Sequence, residues 1–172
     1  RGMITDARIR EDLSKAEGVD WITALRAPAI AALVEGGALQ LSFFDERDLA
    51  EISDPSYPGE RLVVCKNPLL AKERGRKRDE LLAATERQLE AVAKAVARAK
   101  RPLRGKAQIG LRVGKVMGRF KMAKHLKMTI ADDSFQHERD EAAIAAETAL
   151  DGIYVVRTTV VAERLAAEDV VR

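Results

Sequence analysis

Few residues of this chain combine into a set that could perform chemistry on its own. His125 and His137 are the two histidines, and Cys65 is the single cysteine. Their number and spacing do not suit a structural zinc site, which takes four ligands in closely spaced pairs. We expect both histidines to lie in a hairpin. We expect Cys65 to be a small hydrophobic residue of a strand rather than a nucleophile.

Acidic residues supply two further candidates, the pair Asp132-Asp133 and the segment FDERD at 44–48. Carboxylates can bind metal ions, but aspartate is also common in turns because its side chain hydrogen-bonds to nearby backbone. We therefore predict a turn at 132–133 and a solvated loop at 44–48. The sequence predicts no catalytic residue and no metal site in this chain.

A long run of one charge sign is the strongest chemical signal. Between Glu90 and Asp132 there is no acidic residue, although the whole chain has 30 basic and 27 acidic residues and a net charge of only +3. A block of this kind suits a polyanion such as DNA or RNA, the alternative being a solvated basic face with no ligand. Twelve basic residues form the block: Lys94, Arg98, Lys100, Arg101, Arg104, Lys106, Arg112, Lys115, Arg119, Lys121, Lys124 and Lys127.

The segment 109–125 predicts an amphipathic helix inside this block. At about 100° per residue, one arc is apolar and consists of Ile109, Val113, Val116 and Phe120. A basic stripe lies roughly a quarter-turn away and consists of Arg112, Lys115 and Arg119. We predict DNA phosphate contacts for five residues: Arg112, Lys115, Arg119, Lys121 and Lys124.

Three glycines recur at every fourth position of the same helix, namely Gly110, Gly114 and Gly118. The spacing matches neither a P-loop nor a dinucleotide fingerprint. Each glycine inside a helix costs about 1 kcal/mol relative to alanine, so the repetition predicts close packing of another helix on that face.

The elements that must position this helix alternate between helix and strand. The N-terminal part predicts a helix capped by Thr5, a buried strand in VDWITAL (19–25) and a helix that starts near Pro28 and closes at Gly36-Gly37. LAEIS and RLVVCK predict two strands on either side of a turn-rich segment.

A long helix is predicted to start at Asn67-Pro68 and to end before Pro102. Unbroken, it would be roughly 50 Å long, and Gly75 is the candidate position for a kink. A hairpin around 132–133, a helix capped by Asp140 and the strand IYVVRTT complete the chain. The pattern predicts an α/β or α+β fold with an inserted subdomain.

Bulk properties restrict the class of protein further. The chain of 172 residues has enough apolar residues for one ordinary domain, or for one domain and part of another. It contains neither an apolar run of about 20 residues nor a secretory leader. A single cysteine fits a reducing compartment. We expect a cytoplasmic protein that does not contact membranes.

Three segments, RGMIT, KMAKH and ALDGIYVVRTT, occur in an order that resembles bacterial insertion-sequence transposases. The resemblance is to the DDE type, with an RNase H-like catalytic core and a Tyr-Arg-Glu-Lys signature, and it covers essentially the whole chain, including 43–71. It implies part of the RNase H-like core in 1–40 and an inserted subdomain with a long helix in 41–150. It also implies a return strand and the lead-in to the catalytic glutamate helix in 151–172.

The resemblance further implies where catalysis would occur. In that family a strand leads into Asp-Arg-Gly-Met, whose aspartate is the second of three catalytic carboxylates. Arg1, Gly2 and Met3 match the last three positions, so the aspartate would precede Arg1 and the glutamate would follow Arg172. We expect the isolated chain to be inactive. The full-length enzyme would hold two Mg²⁺ ions for attack on a DNA phosphodiester.

Partners implied by the resemblance are the DNA ends of the transposon and a second transposase copy in a synaptic complex. Phe120 or Tyr57 could stack on an unpaired base at such an end, although the apolar arc places Phe120 in the core. Two other readings remain open. One is a free-standing basic nucleic-acid-binding module without catalysis. The other is a helical scaffold in which the long helix pairs with itself through Leu82 and Leu89.

Overall fold

The computed structural model describes residues 4–44, with Phe43 by its backbone only, and residues 47–171. Arg1, Gly2 and Met3, which carry part of the family resemblance, lie outside the described residues, as do two positions of FDERD. The chain divides into two units. Unit 1 consists of residues up to Leu69 together with those from Gly152 onward, and unit 2 consists of residues 70–151.

Helices and strands are mixed along the chain, as the sequence predicts. The helices are α1 (Asp6–Glu11), α2 (Ala27–Glu35), α3 (Pro68–Ala97), α4 (Lys106–Phe120), α5 (Glu141–Thr148) and α6 (Ala167–Val170). The strands are β1 (Ile22–Ala24), β2 (Leu49–Ile52), β3 (Arg61–Lys66), β4 (Leu126–Ile130), β5 (Phe135–Arg139) and β6 (Ile153–Thr158). The coarse prediction of a mixed α/β chain with a long helix is confirmed.

Unit 1 is built on a four-stranded antiparallel sheet in the order β1-β6-β3-β2. Alternate residues of β3 and β6 point to opposite faces, so each face presents its own apolar row. Helix α2 covers one face through Ile30 and Leu33, and α6 covers the other through Val170. The two central strands are buried on both faces because helices lie on both sides of the sheet.

Strand β1 corrects the prediction of a buried strand at 19–25. It has only three residues, it forms one edge of the sheet, and Ile22 on it is 42% exposed. Of the apolar residues in this run, Trp21 is buried. The error has a physical cause, because an apolar run shows strand propensity but does not show whether a second neighbour pairs with the strand.

Unit 2 packs α3 and α4 against the hairpin β4-β5. Its core combines residues of all these elements: Leu82, Leu89, Val92, Val96, Ile109, Val113, Met122, Leu126 and Phe135. Leu82 and Leu89 are completely buried there. They are therefore not available to pair two copies of α3, and the scaffold reading loses the residues on which it depended.

Helix α3 is continuous over 30 residues, about 45 Å at 1.5 Å per residue. The helix is not interrupted at Gly75, the candidate position for a kink. Arg76 forms ion pairs with Glu73 and Glu80, three and four residues away, which link the turns on either side of the glycine. Pairs at this spacing support a helix by a few tenths of a kcal/mol each, about 0.2–0.5.

The first unit boundary differs from the predicted division at residue 40. Strands β2 and β3 lie before the long helix in sequence, yet β3 pairs with β6 over six residues, from Arg61↔Thr158 to Lys66↔Ile153. This pairing places both strands in unit 1 and moves the boundary to Leu69. The second boundary lies at Asp151, one residue from the prediction.

Local predictions of helix starts and turns agree with the structure. The Thr5 side chain accepts a hydrogen bond from the backbone of Arg8 and caps α1, and Asp140 caps α5 by accepting from Ala143. Strands β4 and β5 form the predicted hairpin, with Asp132-Asp133 in its turn. Within the described residues, no helix combines the length and the apolar character needed to cross a bilayer.

Candidate nucleic-acid interface

Helix α4 is held in one orientation at both ends. At its start, the Asp132 side chain accepts a hydrogen bond from the backbone N–H of Lys106 at 2.9 Å, and the Asp132 carbonyl accepts from Gly105 at 2.7 Å. At its end, Lys121 takes a left-handed conformation with φ 57° and donates its N–H to the carbonyl of Met117. Asp132 is thus a turn residue, as predicted, that also caps a neighbouring helix.

The apolar arc of α4 faces the core of unit 2. Ile109 and Val113 are buried, and Val116 and Phe120 pack against the same core while remaining partly exposed. The predicted arc is confirmed. Because the arc faces inward, the basic stripe must lie at the surface.

All twelve basic residues of the block between Glu90 and Asp132 are exposed. Arg112, Lys115 and Lys121 form no ion pair with any described residue, and Arg119 lies over the ring of Phe120 at 5.2 Å without a carboxylate partner in the described chain. Lys124 differs, since its Nζ lies 2.5 Å from Oε2 of Glu147. Four of the five predicted contact residues therefore carry charges that no acidic side chain in the described part of the chain neutralises.

Charge is divided unequally between the units. Unit 2 has 19 basic and 12 acidic residues, a net charge of +7, whereas unit 1 has 11 basic and 15 acidic residues, a net charge of −4. The small net charge of the whole chain therefore hides a strongly basic unit. Such a unit attracts polyanions over several ångströms at low ionic strength.

The three glycines of α4 correct the prediction of close helix packing. A Cβ atom built on Gly110, Gly114 or Gly118 would meet no atom within 4 Å. At about 100° per residue, the glycines lie roughly 90–170° around the helix from the centre of the apolar arc, and so they face away from the core. The repeated glycines therefore leave an open helix surface rather than a packed one.

His125 lies just before the predicted hairpin, in a 3-10 turn (Ala123–His125) that leads into β4. It is 2% exposed, and its Nε2 lies 2.7 Å from Oε2 of Glu147. Its buried Nδ1 has no hydrogen-bond partner among the described residues. Burial of the Glu147 carboxyl would raise its pKa, but hydrogen bonds from Lys124 and His125 outweigh burial and lower the pKa below its usual value.

His137 lies on β5, within the hairpin as predicted, and stacks on Phe135 with 5.6 Å between ring centroids. Cys65 lies on β3, half-buried and without a disulfide. Among residues 4–44 and 47–171, no three His, Cys, Asp or Glu side chains come together in a way that could hold a metal ion.

Neither aromatic residue that we considered for base stacking is a free platform. Phe120 packs on the core of unit 2. Tyr57 belongs to unit 1 and has the guanidinium of Arg157 over its ring at 4.8 Å. The alternative that Phe120 is a core residue is the one that the structure supports.

Arg157 is the centre of a polar cluster in unit 1 that sequence reasoning missed. It is 6% exposed, its guanidinium lies 5.1 Å from the ring of Trp21, and it makes two hydrogen bonds of 2.5 Å to the carboxylate of Glu60. It also forms an ion pair with Asp6. The signal in the sequence was one charged residue in the otherwise apolar and hydroxylated strand IYVVRTT. Through these contacts Arg157 joins β6 to α1 and to the segment that precedes β3.

No family model, no curated protein and no solved structure matches the chain.

Proposed function

We propose that the chain is a segment of a DNA transposase that performs metal-dependent DNA cleavage and strand transfer, and that it supplies core scaffold and DNA contacts. One observation carries the DNA-binding part. Twelve basic residues without an intervening acidic one are all exposed, and those of α4 and its C-terminal end are largely free of ion pairs within the described chain. Such a surface suits the closely spaced charges of a DNA backbone.

The resemblance of RGMIT, KMAKH and ALDGIYVVRTT to insertion-sequence transposases supplies the remainder of the proposal. It assigns residues 1–40 to part of an RNase H-like core and the strand in 151–172 to its return strand. Because β2 and β3 pair in the same sheet, we extend this proposed core to the whole of unit 1. A sheet with helices on both faces is compatible with this assignment, because α2 and α6 cover opposite faces. Unit 2 corresponds to the inserted subdomain, and it contains the long helix α3.

The resembled family would use two Mg²⁺ ions. The described residues do not fit such a centre, since no three potential ligands come together. We therefore assign no catalytic step to any residue of this chain. The proposal places the carboxylates outside it, and the chain alone is expected not to nick DNA when Mg²⁺ is added.

Removal of the basic stripe tests the DNA contacts. In the variant Arg112→Gln/Lys115→Gln/Arg119→Gln we expect weaker binding to a DNA duplex. Each lost phosphate contact lowers the slope of log affinity against log salt by about 1, so the slope should fall by about 3. The measurement is a series of binding titrations by fluorescence anisotropy at several salt concentrations.

A matched control lies on α3 in the same unit. Lys72, Arg74 and Arg87 are also exposed and also have no ion-pair partner among the described residues. Their triple change to glutamine removes the same charge from the same residue types and should leave the slope nearly unchanged. Equal losses in both variants, or none in either, would contradict the assignment of DNA contacts to α4.

A second candidate is a basic nucleic-acid-binding module without catalysis. It is favoured by the observation that the basic block and a separate hydrophobic core both belong to unit 2. The full gene product incubated with Mg²⁺ and DNA carrying insertion-sequence ends distinguishes the two. Cleavage at the ends supports the transposase, whereas binding without cleavage supports the module.

A further inference from the structure

The outward face of α4 is not covered by any other part of unit 2. At about 100° per residue, the line opposite the core passes through Leu111 and Gly118, with Gly114 about 50° to one side and Lys115 about 50° to the other. Leu111 is 57% exposed, and the two glycines are exposed as well. Leu111 and Gly118 therefore place no hydrogen-bonding side chain on the outermost line of the helix.

Positive charge lies on one flank of this face. Arg112, Lys115 and Arg119 are about 50–110° from the outermost line, and all three are exposed. Their long side chains can reach phosphates beside the helix. No carboxylate lies on α4 itself, and Lys106 at its start is basic as well.

Base readout requires hydrogen-bonding groups that point at base edges. On α4, apart from Lys106 at its start, the groups of this kind are Gln108 and the three basic residues Arg112, Lys115 and Arg119, all of them on one flank and none on the outermost line. The outermost line would face a groove floor, yet it carries only hydrogen and hydrocarbon groups. The arrangement therefore suits contact with a sugar–phosphate backbone more than recognition of particular bases.

A duplex fits this face better than a single strand. Proteins that bind single strands without sequence preference stack the bases on exposed aromatic side chains. Unit 2, all of whose residues are described, has two aromatic residues of the Phe, Tyr and Trp type. Phe135 is buried and Phe120 packs on the core, so neither offers a platform.

We propose that the exposed face of α4 docks on the backbone of duplex DNA irrespective of base sequence. The identity of the ligand rests on the proposed function, and the docking mode goes beyond it. In this mode the basic flank contacts phosphates while the glycine side lets the sugar–phosphate chain come close to the helix. Recognition of a particular DNA end then requires other parts of the protein.

The glycines make the docking mode testable. A methyl group added at Gly114 or Gly118 meets no neighbouring element of the described chain within 4 Å, and alanine is the better helix former. The variant Gly114→Ala/Gly118→Ala should therefore raise Tm by about 4 °C or more. The added methyl groups would clash with a closely docked backbone, and affinity for duplex DNA should fall about tenfold, or about 1.4 kcal/mol.

Gly75→Ala is the matched control, because it also replaces a glycine inside a helix of unit 2, where the new Cβ would be 3.9 Å from the Arg78 guanidinium. It should affect stability without lowering affinity. Two duplexes of equal length and unrelated sequence should bind the wild-type chain within about twofold of each other, and both more tightly than a single strand. The experiment measures Tm by circular dichroism and affinity by anisotropy.

Failure of this inference is distinct from failure of the proposed function. If the stripe variant weakens binding but Gly114→Ala/Gly118→Ala binds like the wild type, the DNA contacts stand and close docking at the glycines is overturned. A strong preference for one duplex sequence that is lost in Arg112→Gln or Arg119→Gln would also overturn it. No binding by the wild-type chain would reject both.

Discussion

Arg157 carries a positive charge although its side chain is buried, and burial of a charge costs free energy. A buried charge is stable only when it is paired and hydrogen-bonded, and Glu60, itself 8% exposed in its side chain, meets that need with two hydrogen bonds. Replacing Arg157 with Gln leaves the Glu60 carboxylate buried without a cation. We expect the free energy of unfolding to fall by about 3–5 kcal/mol. Urea unfolding followed by the fluorescence of Trp21, the only tryptophan, measures this in unit 1.

Arg164→Gln is the control for Arg157→Gln. Arg164 pairs with Asp20 at 2.5 Å, but its side chain is 70% exposed, and exposed pairs contribute about 0–1 kcal/mol. The double variant Arg157→Gln/Glu60→Gln should recover part of the loss because the unpaired charge is gone. A loss no larger than that of Arg164→Gln would show that the cluster does not hold unit 1 together.

Glu147 makes the stability of unit 2 depend on pH in the acidic range. Its pKa is lowered in the folded state, so its stabilising contribution is present above the unfolded value of about 4.5 and is lost as pH falls through the lower folded pKa. We expect unit 2 to lose stability as pH falls below about 4.5, and Glu147→Gln to weaken that dependence. Because the side chain is 38% exposed, the effect should stay below about 1 kcal/mol.

Urea unfolding followed by helical circular dichroism at several pH values measures this dependence, since α3, α4 and α5 supply most of the helical residues. Glu90→Gln is the control, because Glu90 is exposed and has no ion-pair partner among the described residues. An acid dependence as strong in Glu147→Gln as in the wild type would contradict the role assigned to the pair with Lys124 and His125.

At the scale of elements, the C-terminal end of α4 carries a residue that lowers the stability of the fold but is proposed to contact DNA. Lys121 ends the helix with φ 57°, a conformation that glycine adopts without steric cost and that costs other residues about 1–2 kcal/mol. We expect Lys121→Gly to stabilise unit 2 by about 1 kcal/mol and to weaken DNA binding. Denaturant unfolding and DNA titration of the same variant measure the two effects.

Lys121→Ala separates the two effects of Lys121→Gly. Alanine removes the charge but keeps the cost of the left-handed conformation, so it should weaken binding as much as glycine without stabilising the fold. If Lys121→Gly binds DNA like the wild type, the lysine at this position is not a phosphate contact.

Elements whose ends depend on local chemistry could be predicted from the sequence. Thr5, Pro68 and Asp140 mark helix starts through caps and fixed backbone angles, and the hairpin turn follows from paired aspartates. Strand pairing could not be predicted, because the register of β3 with β6 joins residues that are 87–97 positions apart. The apolar arc of α4 could be predicted from hydrophobic periodicity, whereas the exposure of its glycines could not. Periodicity identifies the inward side but does not tell whether anything covers the outward one.

At the candidate interface, too, local features could be predicted from the sequence and contacts between distant residues could not. The exposure of Arg112, Lys115 and Arg119 followed from their place beside the apolar arc. The neutralisation of Lys124 by Glu147 did not follow, because that pair joins the 3-10 turn after α4 to α5, on the other side of the hairpin. Arg157 was missed because its partners Asp6 and Glu60 come from distant positions that only the folded sheet brings together.

For the molecule as a whole, the location of charge matters more than its sum. The whole chain has a net charge of only +3, with +7 in unit 2 and −4 in unit 1. If binding followed net charge, any loss of three positive charges would weaken it equally. If binding follows the local potential near unit 2, only charges there matter, since salt screens interactions beyond about 8–10 Å.

Unit 1 offers the residues that separate these cases. Arg8, Arg10 and Lys15 are exposed, have no ion-pair partner among the described residues and match the stripe of α4 in type, two arginines and one lysine. Their triple change to glutamine lowers the net charge of the chain as much as Arg112→Gln/Lys115→Gln/Arg119→Gln does. We expect it to leave both duplex affinity and salt slope within about twofold of the wild type, against a slope loss of about 3 for the stripe. Parallel titrations at several salt concentrations measure both, and equal losses would mean that the chain attracts DNA through its overall charge rather than through α4.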